Sequence, residues 1–195
     1  MLGQNITGFA IFEPPLGGKW LELLWEIAPG LKRAAFMFNP DTAPASAYMP
    51  SLETAARSLK VEPVMAHIHS DAEIETAIIA LGREPGGGLV VMPEIFMLVH
   101  HAPIISAAAR NNVPAVFWLP AFVRDGGLLS YGPDPVDLYR RAATYVDRIL
   151  LGDKPGDLPV QFPTKFEMVV NRKTATALGL SVPLSIRLRA DEVIE

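Results

Sequence analysis

The sequence predicts an α/β fold, a doubly wound parallel sheet flanked by helices, and three observations predict it. Segments of strand character alternate with segments of helical period along most of the 195 residues. The connections between them are short, which implies parallel pairing through right-handed crossovers. Leu89-Val90-Val91-Met92 is apolar without alternation, the pattern of a strand covered on both faces. Hydrophobic residues make up 50% of the chain, so a large core can form and disorder is disfavoured.

Each element follows from its own pattern. Trp20 to Ile27 is an amphipathic helix stopped by Pro29-Gly30. Ala34 to Phe38 is a short strand, halted by Asn39-Pro40-Asp41. Between Ala45 and Leu59 the residues Met49, Leu52, Ala55, Ala56 and Leu59 fall at helical spacing. Val61 to His67 is a strand. Asp71 to Leu81 is a helix with Ser70 as its N-cap. Glycines 86 to 88 form a turn into the buried strand at Leu89. His101 to Asn111 is a helix, Val113 to Trp118 a strand and Leu128 to Tyr131 a further short strand. A long helix, Asp134 to Leu151, is closed by Gly152. Lys154 to Pro163 holds three prolines and a glycine and is an extended connection. Phe166 to Val170 is a strand, Lys173 to Leu178 a short helix and Leu184 to Ile194 a terminal helix.

Composition removes several function classes. The net charge is −4, and basic residues stand singly or in pairs without a stripe, so nucleic acid is an improbable partner. Cysteine is absent, which excludes disulfides, thiol chemistry and thiolate metal sites. The first five residues, Met1-Leu2-Gly3-Gln4-Asn5, lack the cationic start and apolar stretch of a signal peptide, so the chain as written is expected to stay in the cytoplasm. No apolar run approaches the roughly 20 residues that span a bilayer.

Ligands of an open parallel sheet bind outside the carboxyl ends of its strands. The residues there are Asn39-Pro40-Asp41-Thr42, Pro93-Glu94-Ile95-Phe96, Leu119-Pro120-Ala121-Phe122 and Tyr131-Gly132-Pro133-Asp134. Aromatic rings with a few carboxylates, hydroxyls and amides suit a small organic ligand. Asp41, Thr42 and Ser46 lie around a helix start, where free N–H groups favour an anionic group; the plainer reading makes Asp41 or Thr42 a cap. Glu94 directly follows the buried strand, either as a partner for a ligand amine or as a solvated loop carboxylate. Phe96, Trp118 and Tyr131 form an apolar wall to the cleft or simply pack in the core.

Enzyme signatures are missing: no G-x-G-x-x-G, no phosphate-binding loop and no nucleophile elbow. His67 and His69 are two apart and His100 and His101 adjacent, without metal-ligand spacing, so neither a metal nor a cofactor is expected. A binding module therefore leads. An α/β enzyme with Glu94 as general base and a cytoplasmic sensory module stand as alternatives.

Several stretches resemble the ABC transporter substrate-binding protein family, whose members include tryptophan- and tyrosine-type amino-acid binders. They are Asn5-Ile6-Thr7-Gly8-Phe9 with Gly18-Lys19-Trp20-Leu21-Glu22-Leu23-Leu24, Gly126-Gly127-Leu128-Leu129-Ser130-Tyr131-Gly132-Pro133, Tyr145 to Leu150, and Pro163-Thr164-Lys165-Phe166-Glu167. The resemblance runs over essentially the whole chain and implies one lobe of a type I periplasmic-binding fold, a small organic, amino-acid-like ligand and a membrane permease as partner. It implies that residues 1–133 form the ligand-binding lobe, 134–163 a helix and crossing segment that pack on a missing first lobe, and 164–195 the return strand and helices. On this reading Asp41, Thr42 and Ser46 receive a polar head, Glu94 an amine, and Phe96, Trp118 and Tyr131 an apolar body. The 134–151 helix then exposes Leu138, Ala142, Tyr145 and Ile149 and promotes self-association.

Overall fold

A mixed sheet organises the computed structural model, which describes residues 5–11, 13–42 and 45–195. Its strands are β1 (Arg33–Phe38), β2 (Glu62–His67), β3 (Gly87–Val91), β4 (Ala115–Phe117), β5 (Leu129–Pro133), β6 (Phe166–Asn171) and β7 (Glu192–Ile194). They lie in the order β2-β1-β3-β4-β5-β6-β7. Every ladder is parallel except β5 against β6, which pairs Leu129 with Val170 and Pro133 with Phe166. The helices are α1 (Leu16–Ile27), α2 (Met49–Leu59), α3 (Asp71–Gly82), α4 (Ile95–Val99), α5 (His101–Arg110), α6 (Pro120–Arg124), α7 (Pro135–Leu150), α8 (Arg172–Ala177) and α9 (Leu184–Arg189). Helices α1 and α2 pack together, as do α3 and α5; α1 and α3 both lie on β3.

The core follows from the apolar spacing. Trp20, Leu23, Leu24 and Ile27 fall on one stripe of α1 and are fully buried. The indole Nε1 of Trp20 donates to the Tyr131 carbonyl at 2.7 Å, so this large ring is both packed and satisfied. Gly17 lets α1 approach α2: a Cβ there would lie 2.8 Å from the Tyr48 carbonyl oxygen. At Gly132, in β5, a Cβ would lie only 2.1 Å from the Trp118 carbonyl oxygen.

Several sequence expectations change. The helix expected from Ala45 opens with a 3₁₀ turn at Ala45–Ala47 and becomes α2 at Met49, with Tyr48 as N-cap, so neither Asp41 nor Thr42 caps it. The terminal helix ends at Arg189; Ala190 is extended, and Asp191 turns the chain by accepting from the Met168 N–H at 2.8 Å. The β-branched Val193 and Ile194 then join β6 as β7. Helices α4 and α6 lie where loops were expected. Ser70 caps α3 as its sequence indicates, accepting from the Glu73 N–H at 3.4 Å.

The face of α7 that was expected to be exposed is its inner one. Leu138 and Tyr145 are buried, and Ala142 and Ile149 are half-buried. Tyr145 Oη donates to the Pro159 carbonyl at 2.6 Å, and its ring meets Phe9 at 4.9 Å. The chain before α1 and the proline-rich segment after α7 pair with each other. Ala10 N donates to Gln161 O at 2.8 Å, Gln161 N to Gly8 O at 3.0 Å, and Thr7 Oγ1 to Leu158 O at 2.7 Å.

Helix α7 starts on Asp134, whose Oδ1 accepts from the N–H groups of Val136 and Asp137 at 2.8 and 3.2 Å. The Lys165 ammonium, 2.8 Å from Oδ2, holds this carboxyl below its ordinary value of 3.8. Asp134→Ala is expected to lower stability by about 1 kcal/mol at neutral pH, the usual worth of a cap. A lowered carboxyl stabilises the fold above its unfolded value and loses that contribution as pH falls through the folded value. The difference between wild type and variant in urea midpoint should therefore shrink as pH drops below the ordinary carboxylate range. A pH-independent difference would contradict the ionised cap.

Candidate functional site

Two strand exits are tied together by one side chain. Glu94, three residues past β3, is extended and caps α4. Its Oε2 accepts from the Phe96 N–H at 2.9 Å and from Thr42 Oγ1 at 2.7 Å, while Oε1 accepts from the Asn39 N–H at 3.1 Å. Asn39, buried just beyond β1, shapes the loop that supplies Thr42: its Oδ1 accepts from the Asp41 N–H at 2.8 Å. Glu94 is thus neither a free loop carboxylate nor an isolated charge. Three donors occupy its oxygens and leave acceptor capacity on Oε1.

Glu94 stands at the edge of a groove of about 450 Å³. Trp118 and Leu119, at the exit of β4, form its floor with Ile95 and Leu98 of α4. Pro135, Leu138, Tyr139 and Ala142 of α7 form one wall, and Phe9 and Ile11 close the far side. Glu94 is the only ionisable carboxylate or cationic side chain among these lining residues; the rest is apolar or aromatic. The volume and the single polar anchor match a small-molecule site.

The residues expected from sequence separate into three groups. Glu94 and Trp118 share the groove, and Thr42 touches it through Glu94. Asp41 is exposed on the outer side of the same loop, its Oδ2 3.8 Å from His69 Nε2, and Ser46 is exposed in the 3₁₀ turn; neither lines the groove. Phe96 and Tyr131 point elsewhere. Because Pro93-Glu94 starts a helix, Ile95 and Leu98 (i, i+3) face the groove, while Phe96 packs against the core and stacks on His100 at 4.1 Å. Tyr131 lies inside β5 rather than after it. Its ring stacks on Phe166 at 5.6 Å and lines a separate hollow of about 610 Å³ beside α1 and α2. Burial there raises the Tyr131 hydroxyl pKa.

Sequence reading missed Ile95, Leu98, Leu138 and Tyr139 as groove residues. A signal for the first two was present: Glu94 ahead of Ile95-Phe96-Met97-Leu98-Val99 is a carboxylate cap before an apolar run. Three of the four histidines are engaged with carboxylates at the sheet's rim, His69 with Glu73, His100 with Asp71 and His101 with Asp125.

Comparison with known proteins is consistent across the chain. The profile described as ABC transporter substrate binding protein matches residues 2–194. A Tyrosine-binding protein of Clostridioides difficile strain R20291 is 26% identical over 192 residues, covering 98% of this chain and 53% of the relative. A conserved domain protein from Vibrio cholerae superposes with a TM-score of 0.84 at 27% identity, over 96% of this chain and 62% of that one. The ABC domain from Streptococcus pneumoniae, solved in complex with L-Trp, gives a TM-score of 0.84 at 22% identity, over 96% of this chain and 64% of that one. The chain thus spans about half the length of the curated relative and under two thirds of the two solved chains. Among the described residues no helix is long and apolar enough to cross a membrane.

Proposed function

Because the chain belongs to the ABC transporter substrate-binding protein family, we propose that it supplies one wall of the ligand cleft of a transporter's solute-binding protein. The ligand is an amino acid with an apolar or aromatic side chain, and no bond is made or broken in it. The observation that carries this reading is the apolar groove at the carboxyl ends of β3 and β4, with one carboxylate at its edge. Trp118, Ile95 and Leu138 receive the ligand's apolar body, and Glu94 Oε1 accepts from its ammonium. The name of the Clostridioides relative supports the amino-acid class. Thr42 holds Glu94 in place, and we assign Phe96 and Tyr131 to packing rather than contact. The working site lies outside the cytoplasmic membrane, where the loaded protein meets a permease.

Titration calorimetry on the full-length protein with L-tyrosine, L-tryptophan, L-leucine and L-aspartate tests this. An aromatic or apolar amino acid should bind, aspartate should not, and Trp118→Ala should weaken binding at least about tenfold, since a buried aromatic contact is worth more than 1.4 kcal/mol. Absence of binding by all four, or equal affinity in the variant, would sink the reading. Turnover of any of them would replace the binding role with an enzymatic one.

A further inference from the structure

Two of the four histidines meet an oxygen on each ring nitrogen. His69, just past β2, has Nδ1 3.2 Å from Glu73 Oε2 in the first turn of α3 and Nε2 3.8 Å from Asp41 Oδ2 in the loop after β1. His101, which opens α5, has Nδ1 2.9 Å from the Leu98 carbonyl of α4 and Nε2 3.2 Å from Oδ2 of Asp125, the residue that ends α6. A carbonyl or an ionised carboxylate only accepts, and a neutral imidazole carries a single N–H. Each of these rings therefore satisfies both partners only as the imidazolium. His100 is the contrast: Asp71 meets its Nδ1 at 2.5 Å and its ring stacks on Phe96, so one N–H suffices in either charge state.

Both double contacts brace the groove. Asn39 Oδ1 accepts from the Asp41 N–H at 2.8 Å, and in the same loop Thr42 Oγ1 donates to Glu94 at 2.7 Å. A charged His69 ties that loop to α3. A charged His101 ties α4, which supplies Ile95 and Leu98 to the groove, to α6, which starts next to Leu119 on its floor. The backbone N–H and then the ring of His69 hold the Glu73 carboxyl below its ordinary value of 4.5. Among the described residues, the charged groups within ion-pair distance are Asp41 and Glu73 for His69, and Asp125 for His101. Phe122 lies edge-on to His101 at 5.7 Å, and the neighbouring His100 is held by Asp71.

We propose that His69 and His101 are positioning residues of the groove, two protonation-dependent clamps that fix the Thr42–Glu94 rim and the α4–α6 floor, so that an amino-acid ligand is held more tightly as these rings take up protons. The effect on affinity rests on the ligand reading above; the clamps themselves rest on the ring geometry. Histidine is the side chain whose charge changes between about pH 5 and 8. Here the charged form makes the contacts, so their contribution is fully present on the acid side of that change and is lost as pH rises through it.

Titration calorimetry of the full-length protein with L-tryptophan, at about pH 5.5 and at about pH 8, tests the proposal. Affinity should be about three- to fivefold higher at the lower pH, the size open to exposed ion pairs. His69→Gln and His101→Gln keep a donor but take no charge. Each should remove part of the pH dependence, the double variant all of it, and His100→Gln none. Without ligand, nuclear magnetic resonance of isotope-labelled histidine reads the charge of each ring. Asp41→Asn should lower the pH at which His69 takes up its proton, and Asp125→Asn should do the same for His101. Rings that ignore these two changes overturn the clamps. So does a pH dependence that survives in the double variant or disappears with His100→Gln, and so does L-tryptophan affinity equal at both pH values. Rings that respond while L-tryptophan binds at neither pH would strike the amino-acid reading and leave the clamps standing.

Discussion

Trp20→Ala is expected to cost the folded state about 3–5 kcal/mol, the range for removing a fully buried tryptophan. The ring lies at the centre of α1, tilted against Tyr48 at 5.5 Å, and its Nε1 holds the β5 backbone through Tyr131 O. Truncation leaves a cavity under α1 and strands a partly buried carbonyl oxygen in the same step. Urea unfolding followed by circular dichroism measures the loss. Trp20→Phe separates its two parts, keeping most of the packing and giving up the hydrogen bond, and should lie well short of the alanine value. A loss under about 1 kcal/mol for the alanine variant would mean that α1 is not docked as described.

Gly132→Ala is the second large expectation, and it reaches the groove. The added Cβ would stand 2.1 Å from the Trp118 carbonyl oxygen, a backbone atom in the exit of a central strand rather than the yielding end of a side chain. One of the two chain segments must shift, at a cost at or above the upper part of the 1–3 kcal/mol typical of overpacking, roughly 3 kcal/mol. Since Trp118 forms the floor of the groove, ligand affinity in the full-length protein should fall along with the unfolding midpoint. Gly30→Ala is the control, because a Cβ there meets nothing within 4 Å. Equal effects for the two changes would refute the close approach.

Most of the scaffold was legible because it rests on local signals. Ser70 before Asp71, the spacing of Trp20, Leu23, Leu24 and Ile27, and the unbroken apolar run at Leu89 each state their element within a few residues. The C-terminal strand was not legible in that way. Leu184 to Ile194 keeps enough helical spacing to read as one helix, and what ends it is Asp191 receiving the N–H of Met168, a partner 23 residues away. The site divides along the same line. Glu94 was found from its place after a buried strand, but its three donors come from β1's exit and from its own helix cap, which no spacing reveals. Trp118 and Tyr131 looked equivalent in sequence because both close a short apolar strand. Only the packing of α1 over one face and α7 beside the other shows that they look into different hollows.

The bond from Thr7 to Leu158 joins residues 151 apart. Closing so long a loop costs about 4 kcal/mol in chain entropy before any contact repays it. During synthesis the segment holding Ile6, Phe9 and Ile11 emerges well ahead of its partners at 158–161, which follow only after most of the sheet has been made. For that interval it is an unclaimed apolar strand edge on a nascent chain, the feature on which holding chaperones act and misassembly begins. The order of translation therefore runs against the order in which this part of the molecule can be completed.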